Sequence, residues 1–253
     1  MKKENKKPLL TTRQIVIVGI LGAITAVLAL TPLGFVPIGP LNATTMHIPV
    51  LIAAFIEGPV VGGFVGLIFG LSSLFNAVTR PTPISFVFYN PLISILPRVL
   101  LGVISAYIFR FFKTVDGKKL GALGLVAWIG VVIFLAYGLY KNLAAKTFGA
   151  AALLNGIFLV GSVVLLIWIR KKQVQGSAVA LSAFLSTILH SAMVMSGIYI
   201  FFAEDFVRAM GASQALVNTV IFGTIITSGV PEGILAGIVA TGVVTAWTAS
   251  KNK

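Results

Sequence analysis

The sequence predicts an all-α integral membrane protein, on three observations. Of its 253 residues 58% are hydrophobic and only 10% charged, where a soluble domain carries about 25% charged residues. The shortfall is concentrated in long uncharged runs, and about 20 helical residues cross ~30 Å of hydrocarbon. The runs show no period-two alternation of the kind a barrel needs, and a backbone in lipid must bond to itself, which a helix achieves alone.

The apolar runs fall at 15–31, 46–56, 59–77, 89–112, 120–140, 150–169, 178–203 and 215–249. The first follows a Lys-rich stretch in the manner of a signal peptide, but so many later runs make it the expected first helix, retained. The second is short and follows the Gly- and Pro-rich stretch Thr31 to Pro40, so a loop dipping into the protein is expected before it. The third carries Gly62, Gly66 and Gly70 at four-residue intervals, a spacing that lets two membrane helices approach closely. The first run repeats this as Gly19 with Ala23 and Gly22 with Ala26, and the last as Gly233 with Gly237. The fifth and sixth runs have no ionisable residue between Gly121 and Tyr140 or between Ala150 and Ile169. Intramembrane ionisable groups tend to mark function, so residues 120–173 are expected to form an inserted lipid-facing hairpin on a six-helix core. The last run is too long for one span, and Gly229 and Pro231 are expected to break it into 215–228 and 230–249. The sum is about eight transmembrane helices in a single membrane domain, 1–253.

Basic residues orient the chain. A cytoplasmic N-terminus places 14 of the 19 on that side: Lys2, Lys3, Lys6, Lys7, Arg13, Arg110, Lys113, Lys118, Lys119, Arg170, Lys171, Lys172, Lys251 and Lys253. Opposite stand Arg80, Lys141, Lys146 and Arg208, and Arg98 falls inside a run. Both termini are therefore expected in the cytoplasm. The net charge of +13 sits at the ends of apolar runs, which points to a lipid bilayer as its partner and away from nucleic acid.

Several classes are excluded. Without cysteine there are no disulfides and no thiolate metal sites. The two histidines and six acids are scattered, so no metal or cofactor site is expected. An enzyme is not expected either, for want of a carboxylate pair, a Ser–His pair at usable spacing or a metal motif; Ser191 adjoins His190, but adjacent helical residues do not face each other. Gly117-Lys118 lacks the upstream glycine of a phosphate loop.

Within Pro37 to Phe111 lie His47-Ile48-Pro49, Glu57-Gly58-Pro59, the glycine stripe and Ser72-Ser73. Pro81-Thr82-Pro83-Ile84-Ser85, Asn90-Pro91 and Pro97-Arg98 follow, and later come the run 178–203 and Gly229-Val230-Pro231-Glu232. In that order, over about 200 residues, these pieces resemble the substrate-binding S component of energy-coupling factor (ECF) vitamin transporters. The hairpin departs from the family's six-helix pattern. The resemblance implies capture of one vitamin-like small molecule at the extracellular half, under capping loops. It also implies docking on a transmembrane coupling subunit driven by two cytoplasmic ATPases, with Gly19, Gly22, Ala23 and Ala26 matching the docking face.

The candidate substrate-binding residues are Arg98, Glu232, His190, His47, Asn90 and Asn76. An Arg inside a span costs roughly 2.5–3.5 kcal/mol on insertion scales, so Arg98 either meets an anionic group of the solute or pairs internally, with Glu232 or backbone carbonyls. Glu232, taken as an early residue of the last helix, is favoured there by the helix dipole or binds solute. His190 is either a hydrogen-bonded packing residue or a ligand. His47, with Asn42, Thr44, Thr45 and Met46 before it, is either part of a helix start or of the pocket cover. Asn76, Thr79, Arg80, Ser85 and Asn90 either solvate an external loop or close a lid, and Glu57 is expected at a cytoplasmic turn. Arg98 favours a carboxylate-bearing vitamin such as pantothenate; riboflavin, folate, a pyridoxine-like solute or a queuosine precursor stay open. The alternative reading is a self-sufficient secondary transporter coupled to protons through Glu232 or His190.

Overall fold

The structure is a computed structural model that describes residues 9–38, 41–144, 150–172 and 175–251. Lys2, Lys3, Lys6, Lys7, Lys146 and Lys253 of the charge tally lie outside the described residues.

Helix α1 (Thr12–Leu30) opens on a capping box, in which Thr11 and Gln14 exchange side chain-to-backbone hydrogen bonds of 3.3 and 3.0 Å. After a 3-10 turn (Pro32–Gly34), strands β1 (Phe35–Ile38) and β2 (Leu41–Thr44) form a small antiparallel hairpin, Phe35 opposite Thr44. Helix α2 (His47–Glu57) is only 11 residues long and fully apolar after His47 until its last residue, so it is buried almost throughout. Gly58, at φ 96°, makes the sharp reversal into α3 (Pro59–Thr79), and Pro59 suits the first helical turn, where its missing N–H is no loss.

The run expected as one helix at 89–112 is broken. A 3-10 turn (Ser85–Tyr89) and the four-residue α4 (Pro91–Ser94) precede α5 (Leu96–Thr114). Pro91 and Pro97 each stand at a helix start, where proline is tolerated and an upstream turn is not continued. Arg98 is consequently the third residue of α5, and not a residue well inside a longer helix.

The chain continues through α6 (Gly117–Ala144), α7 (Ala150–Lys172), α8 (Gln175–Ala209) and α9 (Val217–Lys251). Helix α8 kinks at Phe202 (φ −145°, ψ 22°), and Gly211, at φ 73°, ends its last turn. There the N–H groups of Gly211 and Ala212 return to the carbonyls of Arg208 and Val207 at 2.9 and 3.1 Å, the C-terminal capping pattern that favours glycine.

Contrary to the expected break at Gly229 and Pro231, α9 stays helical through both. Proline removes one intrahelical hydrogen bond, whereas an unwound segment in lipid would expose several backbone groups; the smaller loss prevails. Glu232 is therefore a mid-helix residue, and the expected dipole stabilisation at a helix start does not apply to it.

Among the described residues, six helices are long and apolar enough to cross a membrane, counting α4–α5 as one, and α2 is a shorter apolar helix. The result is an all-α membrane protein. Arg13, at the start of α1, lies 5.5 Å from the ring centroid of Trp247 near the end of α9 and 2.5 Å from Glu57 at the end of α2. The described ends of the chain thus share one end of the bundle, and Glu57 closes it through an ion pair.

The glycine stripe of α3 packs on α5. A methyl at Gly62 would meet the Gly102 carbonyl at 2.5 Å, one at Gly70 the Ile95 Cα at 2.7 Å, and one at Gly66 the Arg98 carbonyl. Helices α6 and α7 pack on α8 and α9: a methyl at Gly237 would meet the Trp128 ring at 2.6 Å, and Trp128 stands edge-on to Phe184 at 6.4 Å.

Candidate functional site

At the end of the bundle away from the described termini, a cavity of about 800 Å³ opens among α3, α5, α8 and α9, bordered by Thr31, Pro32, Thr44 and Met46 and by the segment 80–88. Its lining includes the exposed Pro32, Arg80, Thr82 and Pro83, so it reaches the surface there. The size falls within the range of small-molecule sites, about 300–1,000 Å³.

Arg98 lines this cavity and is 6% exposed. The break at Ile95 lets its Nη1 donate to the Ile93 carbonyl, and its guanidinium lies 5.4 Å from the Phe69 ring and 5.3 Å from the Phe88 ring. Its Nε has no hydrogen-bond partner, and no described carboxylate oxygen lies within 4.0 Å of the guanidinium. Two aromatic faces soften the cost of a buried cation by about 0.5–2 kcal/mol each, yet no described carboxylate touches it, and Glu232 acts on it only at longer range.

Glu232 also lines the cavity and is buried. It does not pair with Arg98. Its Oε1 accepts the Thr44 N–H at 2.7 Å and the Thr44 hydroxyl at 3.3 Å, which ties the β1–β2 hairpin to the middle of α9. The sequence offered the helix dipole, solute and Arg98 as partners of Glu232, and did not point to Thr44.

His190 lines the cavity from α8, 5% exposed, with both ring nitrogens unpartnered. Its ring stands 5.9 Å from Phe69 and stacks on His47 at 6.4 Å. His47 itself is fully buried behind that stack, beside the backbone carbonyls of Thr44 and Glu232, and does not line the cavity. Asn76 does line it, with Oδ1 free of any partner. Asn90 does not: its Oδ1 accepts the Leu92 N–H at 3.0 Å as the cap of α4. The structure therefore brings Arg98, Glu232, His190 and Asn76 to one cavity and leaves His47 behind it and Asn90 beside it.

Of the residues expected in the external loop, Asn76 and Thr79 instead belong to the last turn of α3; Arg80 and Ser85 line the cavity and Thr79 does not. Arg80 Nη1 donates to the Leu30 carbonyl at 2.9 Å, so it bridges the ends of α3 and α1 at the rim. Sequence reasoning missed Phe69, Phe88, Met195, Ile198, Ser228 and Thr224, all lining residues. The last two stand four and eight residues before Glu232, a helical spacing that was legible once the helix was known to continue through Pro231.

The four small residues of α1 divide. Gly19 and Ala23 face outward, with nothing within 4 Å of a methyl at Gly19; Ala26 is half-buried. Gly22 is buried, and a methyl there would strike Ile68 of α3, so Gly22 serves packing within the bundle.

Comparison with known proteins agrees with the fold. Residues 13–157 match the family model described as "ECF transporter, substrate-specific component". The chain is 31% identical over 122 residues to a pantothenic acid transporter of Lactococcus lactis, covering 39% of this chain and 60% of the relative. It is 32% identical over 142 residues to a pantothenate transporter of Leuconostoc mesenteroides, covering 50% of this chain and 70% of that relative.

Proposed function

The chain belongs to the family of ECF transporter substrate-specific components, and on that premise we propose that it captures pantothenate, or a closely similar carboxylate, in the Arg98 cavity. One observation carries this reading: the buried guanidinium of Arg98 lines the cavity with no described carboxylate within 4.0 Å. A cation so placed favours an anionic ligand, because a hydrogen bond to a charged group is worth about 1.5–3 kcal/mol and the low-dielectric surroundings strengthen it.

The rest of the cavity suits the remainder of such a molecule. The unpartnered nitrogens of His190 and Oδ1 of Asn76 offer hydrogen bonds to an amide and hydroxyls. The names of the two relatives point to the same solute. The charge tally supports a cavity mouth outside the cell and cytoplasmic termini. Delivery is assigned to a transmembrane coupling subunit and two cytoplasmic ATPases, with the outward Gly19 and Ala23 of α1 as part of the docking face.

The test is direct binding of labelled pantothenate to the purified chain. Saturable binding that Arg98→Ala weakens at least tenfold, at unchanged expression, supports the assignment. Unchanged affinity in Arg98→Ala removes Arg98 from the site.

A further inference from the structure

Two helices line the cavity with unlike faces. On α8, Val194, Met195 and Ile198 follow His190 at four, five and eight residues, and all four line the cavity. At ~1.5 Å per residue, Ile198 lies about 12 Å along the helix from His190, toward the mouth. Past the kink at Phe202, Phe206 and Met210 extend the same apolar lining. On α9, Glu232, Ser228 and Thr224 line the cavity one turn apart. The chamber thus has a polar floor, where Arg98 carries the charge beside the His190 ring, a wall of alkyl, thioether and phenyl groups, and a wall of oxygen atoms.

The apolar wall is not needed to hold a carboxylate. It begins one helical turn above His190 and runs to the mouth, and its side chains turn one surface to the cavity while packing together behind. Met195 and Met210 belong to it, and methionine's unbranched, polarisable side chain adapts to differing outlines. A wall built this way rewards apolar length in the ligand without prescribing its shape.

We infer that the Val194–Met195–Ile198–Phe206 wall is a subsite for an apolar extension, so that the substrate class is carboxylates bearing an alkyl body along one polar edge, not one vitamin alone. The inference rests on the proposed placement of the carboxylate at Arg98. Burial of each methylene contributes about 0.8 kcal/mol, which is roughly fourfold in affinity.

The experiment is calorimetric titration of the purified full chain with N-acetyl-, N-butyryl- and N-hexanoyl-β-alanine, which share the carboxylate and amide of pantothenate and differ in apolar length. Affinity is expected to rise twofold to fourfold per methylene, and Met195→Gln or, independently, Met210→Gln to flatten that rise. Melting temperatures identify any variant that has failed to fold. A flat series, with pantothenate still bound, overturns the subsite and leaves the Arg98 site standing. A rise that persists in both folded variants also overturns it, because the gain then comes from detergent or another surface. If pantothenate fails to bind while the series rises and the variants flatten it, the subsite holds and the pantothenate reading falls. Absence of binding by every compound overturns both.

Discussion

Gly66 on α3 lies against the backbone carbonyl of Arg98 on α5, with no space between them for a methyl group. The contact joins two features that the sequence displays separately, a four-residue glycine stripe and an arginine within an apolar run. The stripe allows α3 to approach α5 so closely that Phe69, three residues on, reaches the guanidinium at 5.4 Å. Packing and site are here one arrangement, since the helix contact sets where the cation stands.

Gly66→Ala should therefore act on both. Overpacking a tight contact costs about 1–3 kcal/mol, so the melting temperature should fall and pantothenate affinity with it. Gly19→Ala, where a methyl meets nothing within 4 Å, should change neither. Thermal unfolding and ligand titration of the two variants decide it; equal melting temperatures would mean that the α3–α5 contact has slack.

How much of this was legible in the sequence follows from the range of each signal. Apolar length is a local property, so the membrane class and most helix positions were readable without a structure. The break between α4 and α5 was marked by Pro91 and Pro97, yet hydropathy alone ran across it. At Pro231 the local rule pointed to a break, while the lipid penalty on unpaired backbone kept α9 whole. Arg98, Glu232 and His190 were singled out because ionisable groups in an apolar run are few, and Asn76 as an external-loop residue, although it stands in the last turn of α3. Which of them pair could not be read: Thr44 and Glu232 are 188 residues apart in sequence and 2.7 Å apart in space.

That Thr44–Glu232 bond yields a second prediction. Glu232→Ala leaves the Thr44 N–H without its acceptor, at a cost of about 1–3 kcal/mol, and frees the β1–β2 hairpin from α9. Glu232→Gln keeps a carbonyl oxygen as acceptor and should retain most of the tie. The chain has no native cysteine, so Asn42→Cys gives a clean reporter. Thiol labelling in membranes should speed up several-fold in Glu232→Ala and little in Glu232→Gln. Equal rates in all backgrounds would show that the hairpin is held by other contacts.

Arg98 provides a third, through charge and geometry taken apart. Arg98→Lys keeps the charge but not the planar fork that meets a carboxylate with two parallel hydrogen bonds. It should bind pantothenate more weakly than the native chain and more tightly than Arg98→Ala. Pantothenol, which carries an alcohol in place of the carboxylate, should bind the native chain at least tenfold more weakly than pantothenate. Indifference to that replacement would place the carboxylate somewhere other than at Arg98.

The α6–α7 hairpin gives a fourth. No described residue of α6 or α7 lines the cavity, and Trp128 is 1% exposed where it packs on Gly237. Trp128→Ala should cost about 3–5 kcal/mol of stability while leaving pantothenate affinity in the surviving folded protein within twofold. A large loss of affinity at normal folding would tie the hairpin to the site.

The outward face of α1 separates capture from delivery. Ala23→Leu adds bulk where the bundle itself has room, since Ala23 is exposed, whereas Gly22→Leu must drive into Ile68. Ala23→Leu should bind pantothenate normally as a purified chain and yet lose ATP-dependent uptake when reconstituted with the coupling subunit and ATPases that the proposed function calls for. Gly22→Leu should lower the melting temperature before any partner is added. Uptake by the native chain alone, in vesicles free of ATPases and abolished by a proton uncoupler, would instead make the protein a self-sufficient transporter and leave the α1 face without a docking role.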